Sequence, residues 1–128
     1  MPDNVVVATR WVELFNERDG VEEFLSLLHP EVELQTPGGP RLHGRDQARA
    51  WFEKQPENVR SRIVPDRFVG EGDVVVGLGK TEMRLIESGE LAHESESAAV
   101  FWFRDGTIVR WRPFGSQHAA LRAAGLAS

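Results

Sequence analysis

The sequence predicts a single α+β domain in which helices come first and an antiparallel sheet comes after them. Three observations support this prediction. Apolar residues recur at helical spacing in the first part of the chain, the chain after Val59 consists of successive strand-like segments, and Asp105-Gly106 is a strong hairpin signal. Helices and strands that are segregated along a chain are typical of α+β proteins. A length of 128 residues fits one domain over residues 1–128.

The composition is that of an ordinary globular protein, with 41% hydrophobic and 27% charged residues. The absence of cysteine excludes disulfides, thiolate metal sites and a cysteine nucleophile. A net charge of −5 without a basic run argues against a nucleic-acid partner. No apolar stretch approaches membrane length, and the first residues lack a basic segment typical of secretion signals. We therefore expect no membrane partner and a reduced, cytoplasmic setting.

The helices are predicted from capping residues and apolar spacing. Their predicted starting points are Asp3 or Asn4, Asp19, Gly44 and Gln117. Asp19-x-x-Glu22 reads as a capping box, and Pro30 would end the short helix that it begins. The third helix is expected to end before Pro56.

The strands are predicted from alternating polarity and from turn signals. The predicted strands are Glu31–Thr36, Val59–Glu71 (as one strand or two), Val74–Ile86, Glu90–Arg104 and Thr107–Phe114. Pro65 lies inside the second of them, which indicates an edge strand or a bulge because proline cannot donate to a sheet ladder.

The two tight turns predict which side chains share a face of the sheet. If Asp105-Gly106 and Ser88-Gly89 are both two-residue loops, Phe103 lies opposite Ile108 and Lys80 lies opposite Ser97. The inner face predicted in this way is apolar at one end and polar at the other. Its residues are Val74, Val76, Leu78, Lys80, Glu82, Ser95, Ser97, Ala99, Phe101, Phe103, Ile108, Arg110, Arg112 and Phe114.

The opposite face also carries large apolar side chains, which include Val100, Trp102, Val109 and Trp111. An exposed patch of this size needs a cover. We expect a second copy of the chain to provide it, so that the protein is a homodimer through this face. The alternative is that the N- or C-terminal segment covers the patch.

Five local phrases occur in a characteristic order along the chain. They are Arg10–Asn16, Leu28–Val32, His43–Asp46, Phe103–Arg112 and Ala119–Leu126. Together they resemble the SnoaL-like branch of the superfamily that includes nuclear transport factor two, ketosteroid isomerase and limonene epoxide hydrolase. The resemblance implies a cystatin-like α+β barrel, in which a cone-shaped, curved antiparallel sheet wraps around N-terminal helices and encloses a cavity.

The resemblance also implies where the known chemistries would be located. In ketosteroid isomerase a carboxylate base works beside an oxyanion hole made of a tyrosine and a protonated acid. In this sequence the position of the base falls on Thr36, that of the tyrosine on Trp11 and that of the acid on Ala99. The sequence therefore argues against a steroid isomerase of that kind, although Trp11 would present an indole N–H in place of the tyrosine. The final strand often carries two acids in related cyclases and hydrolases, but residues 111–116 carry none.

Two residues are candidates for catalysis. His93 lies near the predicted cavity mouth and is the best general base by chemistry, although a lone histidine at a strand end is more often a surface residue. Glu82 could form a pocket pair with Lys80, or the two could form a solvated salt bridge. Arg112 could hold a ligand carboxylate, or it could pair with Glu82 or Glu33.

The remaining predicted pocket residues are mostly apolar, as in most ligand cavities. The full predicted pocket comprises Trp11, Phe15, Thr36, Trp51, Leu78, Lys80, Ser97, Ala99, Phe101 and Arg112. The expected partner is a small apolar or anionic metabolite, bound by an isomerase-, cyclase- or hydrolase-type enzyme that lacks the usual acids. The alternative is a non-catalytic ligand-binding or dimeric assembly module. The histidines have no metal-ligand spacing, so we expect neither a metal nor another cofactor.

Overall fold

The computed structural model describes residues 3–36, 39–54 and 58–126. The elements in this part of the chain are α1 (Asn4–Glu17), α2 (Val21–Ser26), β1 (Leu28–Gln35), β2 (Arg41–His43), α3 (Gly44–Glu53), β3 (Val59–Glu71), β4 (Val74–Leu85), β5 (Leu91–Arg104), β6 (Thr107–Phe114) and α4 (Gln117–Ala123). The strands form one curved, unclosed sheet in the order β2-β1-β6-β5-β4-β3. The α+β prediction is confirmed. None of the described helices has the length and apolar character needed to span a bilayer.

Helix α1 begins where its sequence predicts. The Asp3 side chain accepts a hydrogen bond from the Val5 N–H, and Arg18 ends the helix in a left-handed conformation with φ of 55°. The face that α1 buries against the sheet includes Trp11 and Phe15. Helix α1 therefore forms the centre of the core on the concave side of the sheet.

The structure corrects the prediction for the second helix. The N-cap of α2 is Gly20, with φ of 79°, and the Asp19 carboxylate accepts from the Gly20 N–H without capping α2. The predicted capping box is therefore wrong. The helix ends at Ser26, and Pro30 lies inside β1 instead of ending the helix. Pro56, the predicted limit of the third helix, lies outside the described residues.

The predicted bulge at Pro65 is confirmed, because the β3–β4 register shifts between Pro65 and Arg67. Gly79 makes this bulge possible. A Cβ atom on Gly79 would lie 2.9 Å from the Asp66 backbone nitrogen and would also collide with the Val64 carbonyl. The close approach of the two backbones, which only glycine permits, lies where β3 bends over the concave face.

The hairpin at Asp105-Gly106 is also confirmed, but a second bulge alters the register of the rest of β6. Phe103 pairs with Ile108 as predicted, whereas Trp102 pairs with Arg110, so Val109 is an extra residue. Phe101 consequently lies opposite Trp111, not opposite Arg110. A shift of one residue moves every later side chain to the other face, because side chains alternate along a strand.

The turn at Ser88-Gly89 differs from a two-residue loop. Strand β4 ends at Leu85 and β5 begins at Leu91, and the register is offset so that Met83 pairs with His93 and Thr81 with Ser95. The predicted inner face is therefore wrong in β4, where the residues that face α1 are odd-numbered. They are Val75, Gly77, Gly79, Thr81 and Met83.

The convex face carries a second, smaller core. Val76, Leu78, Ala98 and Val100 form it with Ala120 of helix α4, and these strand residues are almost fully buried. The C-terminal helix thus covers part of the patch, as the alternative interpretation of the sequence holds. Trp111 does not belong to this face, because the bulge at Val109 turns it inward, where it is 3% exposed.

Candidate functional site

A cavity of about 640 Å³ opens on the concave face of the sheet. The end of α1, helix α3 and strands β3 to β6 surround it. Its size falls within the range of small-molecule sites, which is roughly 300–1,000 Å³. The lining includes aromatic rings, aliphatic side chains, hydroxyl groups, two guanidinium groups and one carboxylate.

Aromatic rings form the wall on the side of the helices. Trp51 of α3 and Trp111 of β6 lie with their ring centroids 5.9 Å apart, and Trp11 packs on Trp111 with a centroid separation of 4.8 Å. Phe15 stacks on Trp11 at 5.5 Å. This arrangement gives the cavity a rigid apolar surface, because each ring is held by another ring.

Arg18 and Arg60 supply the positive charge of the cavity lining. The Arg18 guanidinium lies 4.3 Å from the centre of the Phe15 ring and donates to the Phe52 backbone carbonyl at 3.3 Å. Arg60 donates to the Asn16 backbone carbonyl at 2.5 Å. Burial lowers the pKa of Arg18, and the nearby charge of Arg60 lowers this pKa further. Among the described residues, no carboxylate forms a salt bridge with either group. The site therefore contains two guanidinium groups without a salt-bridge partner in the described chain, and one carboxylate, that of Glu96, at its rim.

Hydroxyl groups line the opposite wall. Ser61, Thr81, Ser95 and Ser97 all lie on the concave face, and the Thr81 and Ser97 hydroxyl oxygens are 2.8 Å apart. Glu96 lies at the rim, where its Oε2 accepts a hydrogen bond from the Gln117 N–H. Apart from Arg60 and the Glu96 carboxylate at the rim, the strand wall can thus donate or accept hydrogen bonds without adding charge.

A small recess of about 60 Å³ continues from the cavity towards the centre of the core. The two spaces share Ile63, Thr81, Ser97, Trp111 and Pro113. Trp11 and Trp111 line the recess, and the Nε1 atom of each is buried without a hydrogen-bond acceptor among the described residues. Each unpaired buried donor costs about 1–3 kcal/mol, so the two indole groups are a local cost to the stability of the core.

Most of the predicted pocket residues border these spaces. Phe15, Trp51 and Ser97 line the cavity, and Trp11, Ala99 and Phe101 line the recess. Leu78 and Lys80 also border the recess from β4, but their side chains belong to the convex face. The Lys80 ammonium lies 3.1 Å from Glu94, in the solvated type of salt bridge, and not beside Glu82.

Four predicted site residues lie elsewhere. The Thr36 hydroxyl is buried away from the cavity and donates to the Pro40 carbonyl at 2.7 Å. Arg112 is exposed on the convex face with its guanidinium over the Phe114 ring, so its predicted inward position is wrong. Glu82 is also convex and pairs with Arg84 at 3.4 Å. His93 is exposed and is not itself part of the lining, although it lies opposite Met83, which borders the cavity.

Several residues of the lining are absent from the predicted pocket, and Arg18, Arg60 and Trp111 are the most consequential of them. The hairpin register predicted for β6 places Trp111 on the other face, because no residue in the strand signals the bulge at Val109. Arg18 and Arg60 reach the cavity through the tertiary arrangement of α1 and β3, and no local motif marks them. In the described part of the chain, no group of three histidine or acidic side chains forms a candidate metal site.

The chain belongs to the SnoaL-like family, because the model of the SnoaL-like domain matches residues 8–111. No curated protein sequence matches the chain. Among solved structures, an NTF2-like protein of unknown function from Burkholderia pseudomallei K96243 is 24% identical with a TM-score of 0.76, and the match covers 97% of this chain and 98% of that chain.

Two further solved structures are similar. TerC, co-crystallised with polyporic acid, is 25% identical with a TM-score of 0.73 over 94% of this chain and 96% of that chain. An LEH-like epoxide hydrolase from M. tuberculosis is 15% identical with a TM-score of 0.73 over 94% of this chain and 88% of that chain. These similarities support the NTF2-like fold that the sequence resembles.

Proposed function

We propose that this protein binds a small anionic metabolite with an aromatic or otherwise flat apolar body in the cavity on the concave face. The observation that carries the proposal is the position of Arg18, whose guanidinium lies among the aromatic rings of the cavity without a salt-bridge partner in the described chain. A partly buried charge is costly unless an opposite charge compensates it. A bound anion would supply that compensation.

The surroundings of Arg18 favour an anion over a neutral ligand. Arg60 lines the same cavity and carries the same positive charge as Arg18. The repulsion between the two groups contributes to the lowered pKa of Arg18. One carboxylate or phenolate between them would interact favourably with both groups. The rings of Trp51 and Trp111 would then contact the apolar body of the ligand.

Binding is better supported than catalysis. His93 and Glu82, the candidate general bases, lie outside the lining, and the Glu96 carboxylate at the rim already accepts from the backbone. The serine and threonine hydroxyls of the cavity cannot abstract a proton from carbon unaided. TerC, to which this chain is similar, was co-crystallised with an acidic compound, polyporic acid, and this supports an acidic ligand.

The experiment compares fluorene-2-carboxylate with its neutral analogue fluorene-2-carboxamide by isothermal titration calorimetry. Because charge-assisted hydrogen bonds contribute about 1.5–3 kcal/mol, the carboxylate is expected to bind roughly tenfold or more tightly than the amide. The Arg18→Met substitution should remove this preference. Arg112→Met, which removes a guanidinium from the convex face, is the matched control and should preserve it. Equal affinities of the two probes for the unmodified protein would contradict the proposal.

We also propose that two copies of the chain associate through the part of the convex face that α4 leaves open. Trp102 is partly exposed there, and the Arg110 guanidinium lies 4.8 Å from the centre of its ring. Light scattering should give the mass of a dimer for the unmodified protein and of a monomer for Trp102→Glu. Val6→Glu, a control at an exposed apolar residue of α1, should leave the mass unchanged. A dimeric Trp102→Glu variant would show that this interface is wrong.

A further inference from the structure

The side chain of Asn16 ties strand β3 to helix α1. Its amide donates to the Ile63 carbonyl and accepts from the Ile63 N–H, each at 2.8 Å. Ile63 lines the cavity, and β3 is an edge of the sheet, so in the described chain no further strand fixes it from the outer side. The hydrogen bonds of Asn16 therefore help to set the distance between β3 and the end of α1, where Arg18 lies.

Strand alternation alone does not place Arg60 at the cavity. Its register partner is Arg84, and the next residue on the same side of β3, Arg62, pairs with Glu82 of the convex face. The Arg60 guanidinium nevertheless donates to the Asn16 backbone carbonyl at 2.5 Å and borders the cavity. A long side chain on an edge strand can pass round that strand, because no neighbour lies beyond it. The position of this charge therefore depends on its contact with Asn16.

Arg60 stays near Arg18 although like charges repel each other. Burial lowers the pKa of Arg18, and the charge of Arg60 is near enough to lower this pKa further. Arg84, which lies opposite Arg60, adds another positive charge and forms its own salt bridge with Glu82. In the described chain no carboxylate forms a salt bridge with Arg60. A neutral backbone carbonyl thus holds Arg60 where its electrostatic surroundings repel it.

We infer that Asn16 is a positioning residue of the anion site, which keeps Arg60 close enough to Arg18 for both guanidinium groups to bind the acid of the ligand. The Asn16 side chain fixes the strand that carries Arg60, and the Asn16 carbonyl holds the guanidinium itself. This inference rests on the proposed anion site and adds how the second charge of that site is kept in place. A group that is fixed before the ligand arrives loses less freedom on binding, which favours affinity.

The test measures the preference of the protein for fluorene-2-carboxylate over fluorene-2-carboxamide, defined as the ratio of their dissociation constants. Isothermal titration calorimetry at low ionic strength keeps screening small. Arg60→Met should lower the preference roughly two- to fivefold, because exposed charge pairs contribute modestly. Asn16→Ala should also lower it, by no more than this factor, because a released β3 lets Arg60 move away from Arg18. The double variant should show the preference of Arg60→Met alone, because Asn16 acts through Arg60.

Asn4→Ala is the matched control. It also removes an asparagine side chain of α1 that bonds to the backbone of another segment, the Gly72 carbonyl, but Asn4 does not line the cavity. The preference should stay unchanged in this variant. If Asn16 has only a structural role, Asn16→Ala weakens both probes by the same factor and leaves their ratio unchanged, and this result would overturn the inference. Reductions that multiply in the double variant would overturn it as well.

Arginine ¹H–¹⁵N spectra of the unmodified protein keep the inference testable if Asn16→Ala does not fold. The Nε–H resonance of Arg60 can be assigned by its loss in Arg60→Met. It should shift when fluorene-2-carboxylate is added and much less with the carboxamide. An Arg60 resonance that the carboxylate does not shift would show that this guanidinium does not take part in binding, and the inference would be wrong.

The possible results separate this inference from the proposed function. If Arg18→Met removes the preference while neither Arg60→Met nor Asn16→Ala lowers it, the inference fails and the anion site consists of Arg18 without Arg60. If the unmodified protein binds both probes equally, or binds neither, the proposed function fails and the inference fails with it.

Discussion

The side-chain amide of Asn16 forms two hydrogen bonds with the backbone of Ile63. Its Nδ2 donates to the Ile63 carbonyl and its Oδ1 accepts from the Ile63 N–H, both at 2.8 Å. Strand β3 is an edge of the sheet, so Asn16 satisfies backbone groups that a neighbouring strand would otherwise satisfy. The Asn16 carbonyl also accepts from Arg60, so one residue of α1 positions both the strand and a guanidinium of the cavity.

We expect Asn16→Ala to lower the free energy of unfolding by about 1–3 kcal/mol, because it leaves a partly buried N–H and carbonyl without partners. Urea denaturation measures the effect. Asn4→Ala is the control, because the Asn4 side chain makes one exposed hydrogen bond to the Gly72 carbonyl. A loss for Asn16→Ala no larger than that for Asn4→Ala would show that solvent replaces both bonds to Ile63.

Gly79→Ala is expected to destabilise the protein by more than about 2 kcal/mol, because the added methyl group meets rigid backbone at the Pro65 bulge. Gly115→Ala adds the same methyl group where no atom lies within 4 Å and should change stability by less than about 0.5 kcal/mol. Thermal unfolding of the two variants compares them directly. Similar melting temperatures would mean that β3 can move away from β4 at little cost.

The pair Arg10–Glu23, which joins α1 to α2 with a closest contact of 2.6 Å, predicts a pH dependence. The hydrogen bond from Arg10 lowers the pKa of Glu23. A lowered folded-state pKa contributes stability above the ordinary pKa of glutamate, about 4.3, and this stability is lost as the pH falls through the folded-state value. Arg10 stays charged throughout, so Glu23 is the partner whose titration matters.

Chemical denaturation at pH 7 and pH 3 tests this dependence. Glu23→Gln should be less stable than the unmodified protein at pH 7, and the difference should shrink at pH 3. The effect is expected to be small, because both side chains are solvent-exposed and exposed pairs are screened. Glu31→Gln, at an exposed residue without a salt bridge in the described chain, is the control and should show no such change. A Glu23→Gln difference that is the same at both pH values would contradict the assignment.

The sequence predicts the elements well because each depends on local signals. The cap at Asp3, the bulge at Pro65 and the turn at Asp105-Gly106 all result from the conformational preferences of the residues involved. The face of the sheet on which a strand residue lies is predicted less well, because it depends on the register of every residue between a turn and the site. One extra residue at Val109 exchanges Trp111 and Arg112 between the two faces.

The candidate site is accordingly predicted best where helices supply it. Trp11, Phe15 and Trp51 lie on helices, whose periodicity is not shifted by bulges, and all three border the cavity or its recess. Lys80, Glu82 and Arg112 lie on strands, and their side chains belong to the other face. Periodicity does not reveal Arg18 because this residue comes after α1 in a left-handed conformation, which turns it towards α3.

The parallel pairing of β1 with β6 has a consequence for how the molecule is made. Leu28 lies beside Ile108, so the sheet joins segments from opposite ends of the chain, and the Trp11–Trp111 contact does the same. Such distant contacts are slow to form because a long loop must close first. During synthesis on the ribosome, the contacts of α1 and β1 with β6 can form only after the last strand has emerged. The cavity, of which Trp111 forms part of the wall, is thus among the last features to appear in folding.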